Sequence, residues 1–377
     1  MGYNNRKISV QLSTLMKKQD IYYNILSTEE YPSYSVTIRT LGKAGDKYAA
    51  TLESIRKQSL QPEEVVIVIP DGYDLPKERL GFERFVRCKK GMVNQRVVGI
   101  NEMSSDFTLA LDDDVEFNAD FVKSLFDIQI NNSADFVSPK ITEPNNSMTT
   151  SKPVSTQQPS SARGERSISL ILNALQYAMG IHYTNTINNG YAVKIASTGG
   201  FISKTIIEDN NIYPTQSGHG TVCFGKTKAL KNLNFKDELW LEEASYPLPE
   251  DQVMFYKLFL MGNKLLYAPQ IEMVHLDAGT SINSERKLKN TYASARNGLI
   301  FWHRFIYKVR PDKINVTMAI SRRIIFTLLI SALKGFKNRN FAQFKTQMKG
   351  YIDGWKYLKS DSYKFLSKIN SQRVSGY

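Results

Sequence analysis

The sequence predicts an α/β fold, a mostly parallel mixed sheet flanked by helices, with a basic helical C-terminal extension. Three observations predict it. Apolar runs alternate with stretches of helical spacing between residues 34 and 111. Those runs are apolar throughout rather than at every second residue, the pattern of strands covered on both faces. From residue 285 the chain changes character: twenty Lys and Arg stand against four acids, with helical patterning only.

The elements follow in order. Residues 1–30 form a polar lead-in. "YSVTI", 34–38, reads as a buried strand. In "KYAATLESIRKQSL", Tyr48, Leu52 and Ile55 recur at helical spacing, and Pro62 closes the helix. "EVVIVI", 64–69, is a second strand that ends in the turn residues Pro70, Asp71 and Gly72. "FVRC", 85–88, is a weaker third strand, "MVNQRVVGINEM" a short helix, and "FTLAL", 107–111, a fourth strand. Residues 142–167, rich in Ser, Thr, Pro, Asn and Gln, read as a long mobile loop. Regular patterning resumes at "ISLILNALQYAMG", and a second αβ block covers 196–280.

The bulk composition excludes several classes. A 377-residue chain with 42% hydrophobic and 11% aromatic residues can bury a large core and is not disordered. Cys88 and Cys223 give neither a disulfide framework nor metal-type spacing, which suits a reducing compartment. The net charge of +13 calls for an anionic partner. It sits in the tail, away from any aromatic strand platform, which speaks against nucleic acid. The start of the chain has no apolar signal core. No apolar run reaches the roughly 18 residues of a spanning helix. "IIFTLLISAL", 324–333, is the nearest and suits an interfacial helix. The expected location is the cytoplasm, with the inner face of the cell membrane within reach.

Three clusters carry chemistry. The fourth strand runs straight into Asp112, Asp113 and Asp114. In open sheets ligands sit beyond the carboxyl ends of strands, where Asp71 also lies. Asp112 and Asp114 face one way if the chain stays extended, and two such carboxylates suit Mg²⁺ or Mn²⁺ shared with substrate phosphates. The plain alternative is a solvated acidic turn, or charge at the start of the helix "ADFVKSLFDI". In "YPLPEDQVMFYKLFLMG", Glu250 and Asp251 open an apolar helix, either as caps or as a general base. In "LLYAPQIEMVHLDAGTS", Ile271, Met273 and His275 share one strand face, so His275 ends it as a core residue or as a third metal ligand. Gly199 and Gly200 in "STGGFISK" allow either close approach to a ligand or a packing turn.

Taken in order, these pieces resemble a family 2 glycosyltransferase of the inverting, GT-A type over residues 34–300. "YSVTIRT" looks like the first nucleotide-binding strand. "TLESIRKQSLQPEEVVIVIPDG" is similar to the family's next helix and strand, and "GMVNQRVVGINEMSSDFTLALDDDVEF" to the approach to its DxD motif. "GHGTVCFGKTKALKNLNFKDELW" is similar to the stretch before the acceptor-site acid. "PEDQVMFYKLFLMGNKLLYAPQIEMVHLDAGTS" resembles the ED helix and the strand bearing its His. The resemblance implies a catalytic domain over 31–284, with a nucleotide-sugar half, 34–140, and an acceptor half, 168–284. Residues 285–377 are the helical tail.

It also implies roles. Thr40, Asp71, Arg96, Asp112, Asp113, Gly199 and Gly200 would bind a UDP-, dTDP- or GDP-sugar. Asp114, with Asp112 and His275, would hold Mg²⁺ or Mn²⁺. Asp251, with Glu250, would be catalytic. The sequence has "PDGY" where the family has "DDGS", and it lacks "QxxRW", which points away from a processive synthase. The activity implied is transfer of a sugar, with inversion, to a glycan or lipid-linked acceptor in cell-surface polysaccharide synthesis. Another phosphate enzyme such as a nucleotidyltransferase, or an inactive binding module, stands as the alternative. For the tail, peripheral contact with anionic membrane and a lid on the catalytic domain are equal readings.

Overall fold

The computed structural model describes residues 31–144, 182–184, 190–204, 207, 209–276 and 284–372. The lead-in, most of the 142–167 loop and the 168–180 segment lie outside the described residues. The chain divides into Met1–Ser33 and Tyr34–Tyr377, and all that follows concerns the second unit.

The strands and helices alternate as the patterning predicts. In chain order they are β1 (Tyr34–Arg39), α1 (Asp46–Arg56), β2 (Glu64–Pro70), β3 (Arg84–Cys88), α2 (Met92–Glu102), β4 (Phe107–Asp112) and β5 (Val115–Glu116). Next come α3 (Phe121–Asn132), β6 (Phe136–Thr142), β7 (His182–Thr184), β8 (Val193–Ile195), β9 (Phe201–Lys204), β10 (Tyr213–Pro214) and β11 (Val222–Lys226). After these lie α4 (Thr227–Asn232), a 3-10 segment (Phe235–Ala244), α5 (Glu250–Leu260) and β12 (Leu265–His275). The tail is helical: α6 (Ser284–Phe301) running into a π-helical turn (Trp302–Tyr307), α7 (Lys313–Asn338), α8 (Ala342–Leu358) and α9 (Asp361–Lys364).

Among the described residues, the main sheet runs β10-β12-β6-β11-β4-β1-β2-β3, with β5 added on β12. β4, β1, β2 and β3 are parallel neighbours. β11 inserts antiparallel between β4 and β6, and β12 is parallel to β6. Most strands therefore run one way, and their carboxyl ends share one edge. A smaller sheet joins β7, β9 and β8.

The apolar strands have two faces to cover, and helices cover both. On one face Phe126 of α3 meets Phe107 and Phe224 edge-on, with ring centroids 5.2 and 4.9 Å away. On the other, Ala110 and Cys223 join a core built with Val93, Val97 and Ile100 of α2 and most of α5. That same core takes in Leu299, Ile300, Phe301, Trp302, Phe305 and Ile306, then Val316 and Ile320. The tail helices thus share the interior of the sheet domain. α2 lies so close to β1 that a Cβ on Gly99 would come 2.4 Å from the Thr37 hydroxyl.

The tail corrects one expectation. α7 is a single 26-residue helix whose mean hydropathy reaches 1.7, long and apolar enough by length and composition to cross a membrane. Counting an unbroken apolar run missed it, because Arg322 and Arg323 interrupt the run without ending the helix.

Candidate active site

β1 delivers Arg39 and Thr40 to the carboxyl edge, β2 delivers Asp71, β4 delivers Asp112, and β12 delivers His275. β11 runs the other way, so its start reaches the same edge and brings His219 there. Asp112 N–H donates to the Thr221 carbonyl at 3.0 Å, tying the end of β4 to the start of β11.

The three adjacent carboxylates have three separate environments. Arg39 and Asp112 are partners in the β1–β4 register. The Arg39 guanidinium grips Asp112 from Nε at 2.5 Å and from Nη2 at 3.3 Å. Asp113 accepts a hydrogen bond from the Thr40 hydroxyl. Burial pushes the Asp113 carboxyl up to about 6, assisted by Asp112 and Asp114 and opposed by the Thr40 bond. Asp114 is buried, with Oδ2 3.2 Å from His275 Nε2. Pairing of Val115 with His275 in the β5–β12 ladder fixes that approach, and the Leu276 N–H donates to the Asp114 carbonyl at 2.7 Å.

The chain bends at 113–114, so the period-two argument that aimed Asp112 and Asp114 together does not apply. Nor are the acids a helix cap, since α3 starts only at Phe121.

At the start of α5 the two acids part. Glu250 accepts from Arg39 Nη1 at 2.6 Å, Arg96 Nε at 3.0 Å and Arg96 Nη2 at 2.9 Å. Burial alone would raise its pKa, but Arg39 and Arg96 outweigh burial and bring it to about 2. A carboxylate so held is a poor proton acceptor at neutral pH, which departs from a catalytic Glu250. Burial, and Glu250 beside it, push the Asp251 carboxyl up instead. Gly220 makes room for Asp251, since a Cβ there would lie 3.2 Å from the Asp251 Cβ. The Gln252 amide donates to the Gly199 carbonyl at 2.8 Å. Gly199 has φ +77°, and a Cβ on it would sit 3.3 Å from the Phe301 ring. The Gly199–Gly200 turn therefore packs behind α5.

Arg96 is 5% exposed and donates to Glu250 and the Gly220 carbonyl, so it lies beneath the edge rather than on it. Asp71 is exposed at the end of β2, with its N–H donating to the Cys88 carbonyl at 2.9 Å.

Sequence reasoning gave His219 no role. The structure places it where the clusters meet. Its ring centroid is 6.1 Å from that of His275. Its ring reaches solvent, yet the protein packed around it lowers its pKa, and it feels the charges of Asp251, His275 and Asp112. Nδ1 meets the Thr221 hydroxyl at 2.9 Å and the Thr221 N–H at 3.4 Å, which holds the ring at the start of β11. The signal was available in the glycines on either side. A Cβ on Gly218 would meet the Phe255 ring at 2.7 Å, so this segment lies directly on α5.

Among the described residues no group of three or more His, Cys, Asp and Glu is placed to hold a metal ion. Asp112 is committed to Arg39. Asp114 and His275 remain as a carboxylate and an imidazole in contact. A divalent cation that also binds substrate phosphates needs only one or two protein ligands, so the pair fits such an ion. The imidazole favours Mn²⁺ over the harder Mg²⁺.

No family model matches the chain, and no curated protein matches it. Among solved structures it is similar to S. aureus TarS 1–349, at 14% identity and a TM-score of 0.47, covering 85% of this chain and 80% of that one. It is also similar to GalNAc-T7 with UDP, GalNAc and Mn²⁺, at 15% identity and a TM-score of 0.48, covering 91% of this chain and 59% of that one. Likeness at this level decides neither family nor activity.

Proposed function

We propose that this protein is a glycosyltransferase of the GT-A type. It moves a sugar from a nucleoside diphosphate donor to an acceptor hydroxyl with inversion. The observation that carries this reading is the convergence on His219. A proton-accepting acid, Asp251, and a phosphate-side pair, Asp114 and His275, flank one solvent-accessible imidazole at the carboxyl edge of the sheet.

The chemistry follows from the residues. Asp251 is the general base. Its raised pKa keeps it closer to neutral pH than an ordinary carboxylate, which improves proton transfer. The acceptor oxygen bonds to the sugar C1 as its proton passes to Asp251, and the bond from C1 to the diphosphate oxygen breaks. Glu250 is tied to two guanidinium groups and does not serve as nucleophile, and with Asp251 acting as base the proposed transfer is a single displacement with inversion. Arg39, which joins Asp112 to Glu250, sets the spacing between the donor and acceptor halves of the edge. When bound at Asp114 and His275, Mn²⁺ or Mg²⁺ would offset the charge developing on the departing diphosphate.

The test is a binding and turnover screen of UDP-, GDP- and dTDP-sugars with Mn²⁺ and Mg²⁺, on wild type, Asp114→Asn and Asp251→Asn. The expected result is metal-dependent binding of one nucleotide class, lost in Asp114→Asn. Asp251→Asn should keep donor binding and lose transfer. Folded wild type that binds no nucleotide sugar under any of these conditions overturns the proposal.

A further inference from the structure

α7 packs against the protein along one face only. Val316, Ala319, Ile320, Ser331 and Gly335 are buried, and Arg323 donates to the Thr198 carbonyl at 3.0 Å. Its opposite face carries Ile314, Met318, Ile325, Leu329, Leu333 and Phe336, from 48% to 76% exposed. Their spacing of three, four and seven puts them on one stripe, which extends roughly 33 Å at 1.5 Å per residue. α8 packs beside α7 and shows Met348, Ile352 and Trp355 to solvent, again along one face. Two neighbouring helices that expose apolar stripes mark an interaction surface.

Charge selects the partner. From Lys313 to Ile352 there are eight Lys and Arg and no Asp or Glu. Arg322 lies within the α7 stripe, Lys337 at its margin, and Lys345, Lys349, Lys356 and Lys359 flank the α8 stripe. A second copy of the chain docking here would set basic residues against basic residues. A basic amphipathic surface of this kind fits an anionic bilayer, with apolar side chains below the headgroups and Lys and Arg among them. A spanning helix would carry exposed Arg322 into hydrocarbon, whereas a helix lying in the interface leaves it in the headgroups.

We infer that the α7–α8 face is a peripheral docking surface for anionic membrane, with α7 lying in the plane of the interface. The surface extends to the turn that packs behind α5. An open groove of about 600 Å³ between Ser197 and α7 is lined by Met318, Arg322 and Ile325. Ser197 belongs to the turn whose Gly199 carbonyl holds Gln252, next to Asp251.

The experiment is co-sedimentation of the full chain with vesicles of phosphatidylcholine alone or mixed with phosphatidylglycerol, at low and high salt. It reads binding and needs no activity, so it can fail independently of the glycosyltransferase reading. Wild type should pellet with the anionic vesicles only, and high salt should release it. Arg322→Glu with Lys337→Glu should weaken binding about thirtyfold or more, from the attraction of basic residues to an anionic surface. Ile325→Asp with Leu329→Asp should abolish it. These side chains are exposed, so both double variants should keep the wild-type unfolding temperature. Several results overturn the inference: no binding to anionic vesicles, binding unchanged in Ile325→Asp/Leu329→Asp, retention through salt and alkaline washes as for a spanning helix, or a dimer that the apolar variant dissolves.

Discussion

Glu250→Gln isolates what the buried acid at the start of α5 contributes. The substitution keeps the shape and removes the charge that Arg39 and Arg96 share. Lowering a carboxyl from its ordinary 4.5 to about 2 corresponds to about 3 kcal/mol of folding stability at neutral pH, at roughly 1.4 kcal/mol per pH unit. Removing one member of a buried ion pair costs about 3–5 kcal/mol by a separate route, because the remaining charges stay desolvated. The two agree near 3 kcal/mol. The pH dependence is specific. A depressed pKa stabilises the fold above the unfolded value and loses that contribution as pH falls toward the folded value. The gap between wild type and variant should therefore be about 3 kcal/mol near pH 7 and fall to about 1 kcal/mol near pH 3. Urea unfolding of both proteins at several pH values measures it. A gap below about 0.5 kcal/mol at pH 7, or one that stays constant from pH 7 to pH 3, would refute the reasoning.

Four further outcomes are expected. Asp251→Asn should lower kcat by about 10²–10⁴-fold with little change in stability or donor binding. In wild type the acid limb of kcat/KM should fall above the ordinary carboxylate range, because Asp251 must be ionised and its pKa is raised. His275→Ala should weaken Mn²⁺ binding at least ~10-fold, read by titration of the folded protein, and an unchanged affinity would remove His275 from the metal site. Gly225→Ala should destabilise by about 3 kcal/mol or more, since its Cβ would fall 2.0 Å from the buried Phe136 ring, and a wild-type unfolding midpoint would contradict that packing.

The elements were legible because their signals are local. The continuous apolar runs of β1, β2 and β4 and the helical spacing of Tyr48, Leu52 and Ile55 each reflect burial of one short segment. The position of Asp112–Asp114 just past a strand was legible for the same reason. The partners of those acids were not. The charge on Arg39 could be read, but its bridge from Asp112 to Glu250 joins residues 39, 112 and 250 through the register of β1 on β4 and the docking of α5. His219 looked like an isolated histidine until β11, running antiparallel, brought it to the edge where the parallel strands end. α7 escaped a count of apolar runs, because a helix averages over its turns.

What the sequence determined by itself was the alternation of strand and helix, the acidic edge and the basic tail, since each depends on neighbours within a few residues. Only the tertiary structure decided that arginines bind Glu250 while the neighbouring Asp251 has its pKa raised. The pKa of a buried acid is set by burial and the charges packed around it, and for Glu250 those charges, on Arg39 and Arg96, lie more than a hundred residues away in the chain.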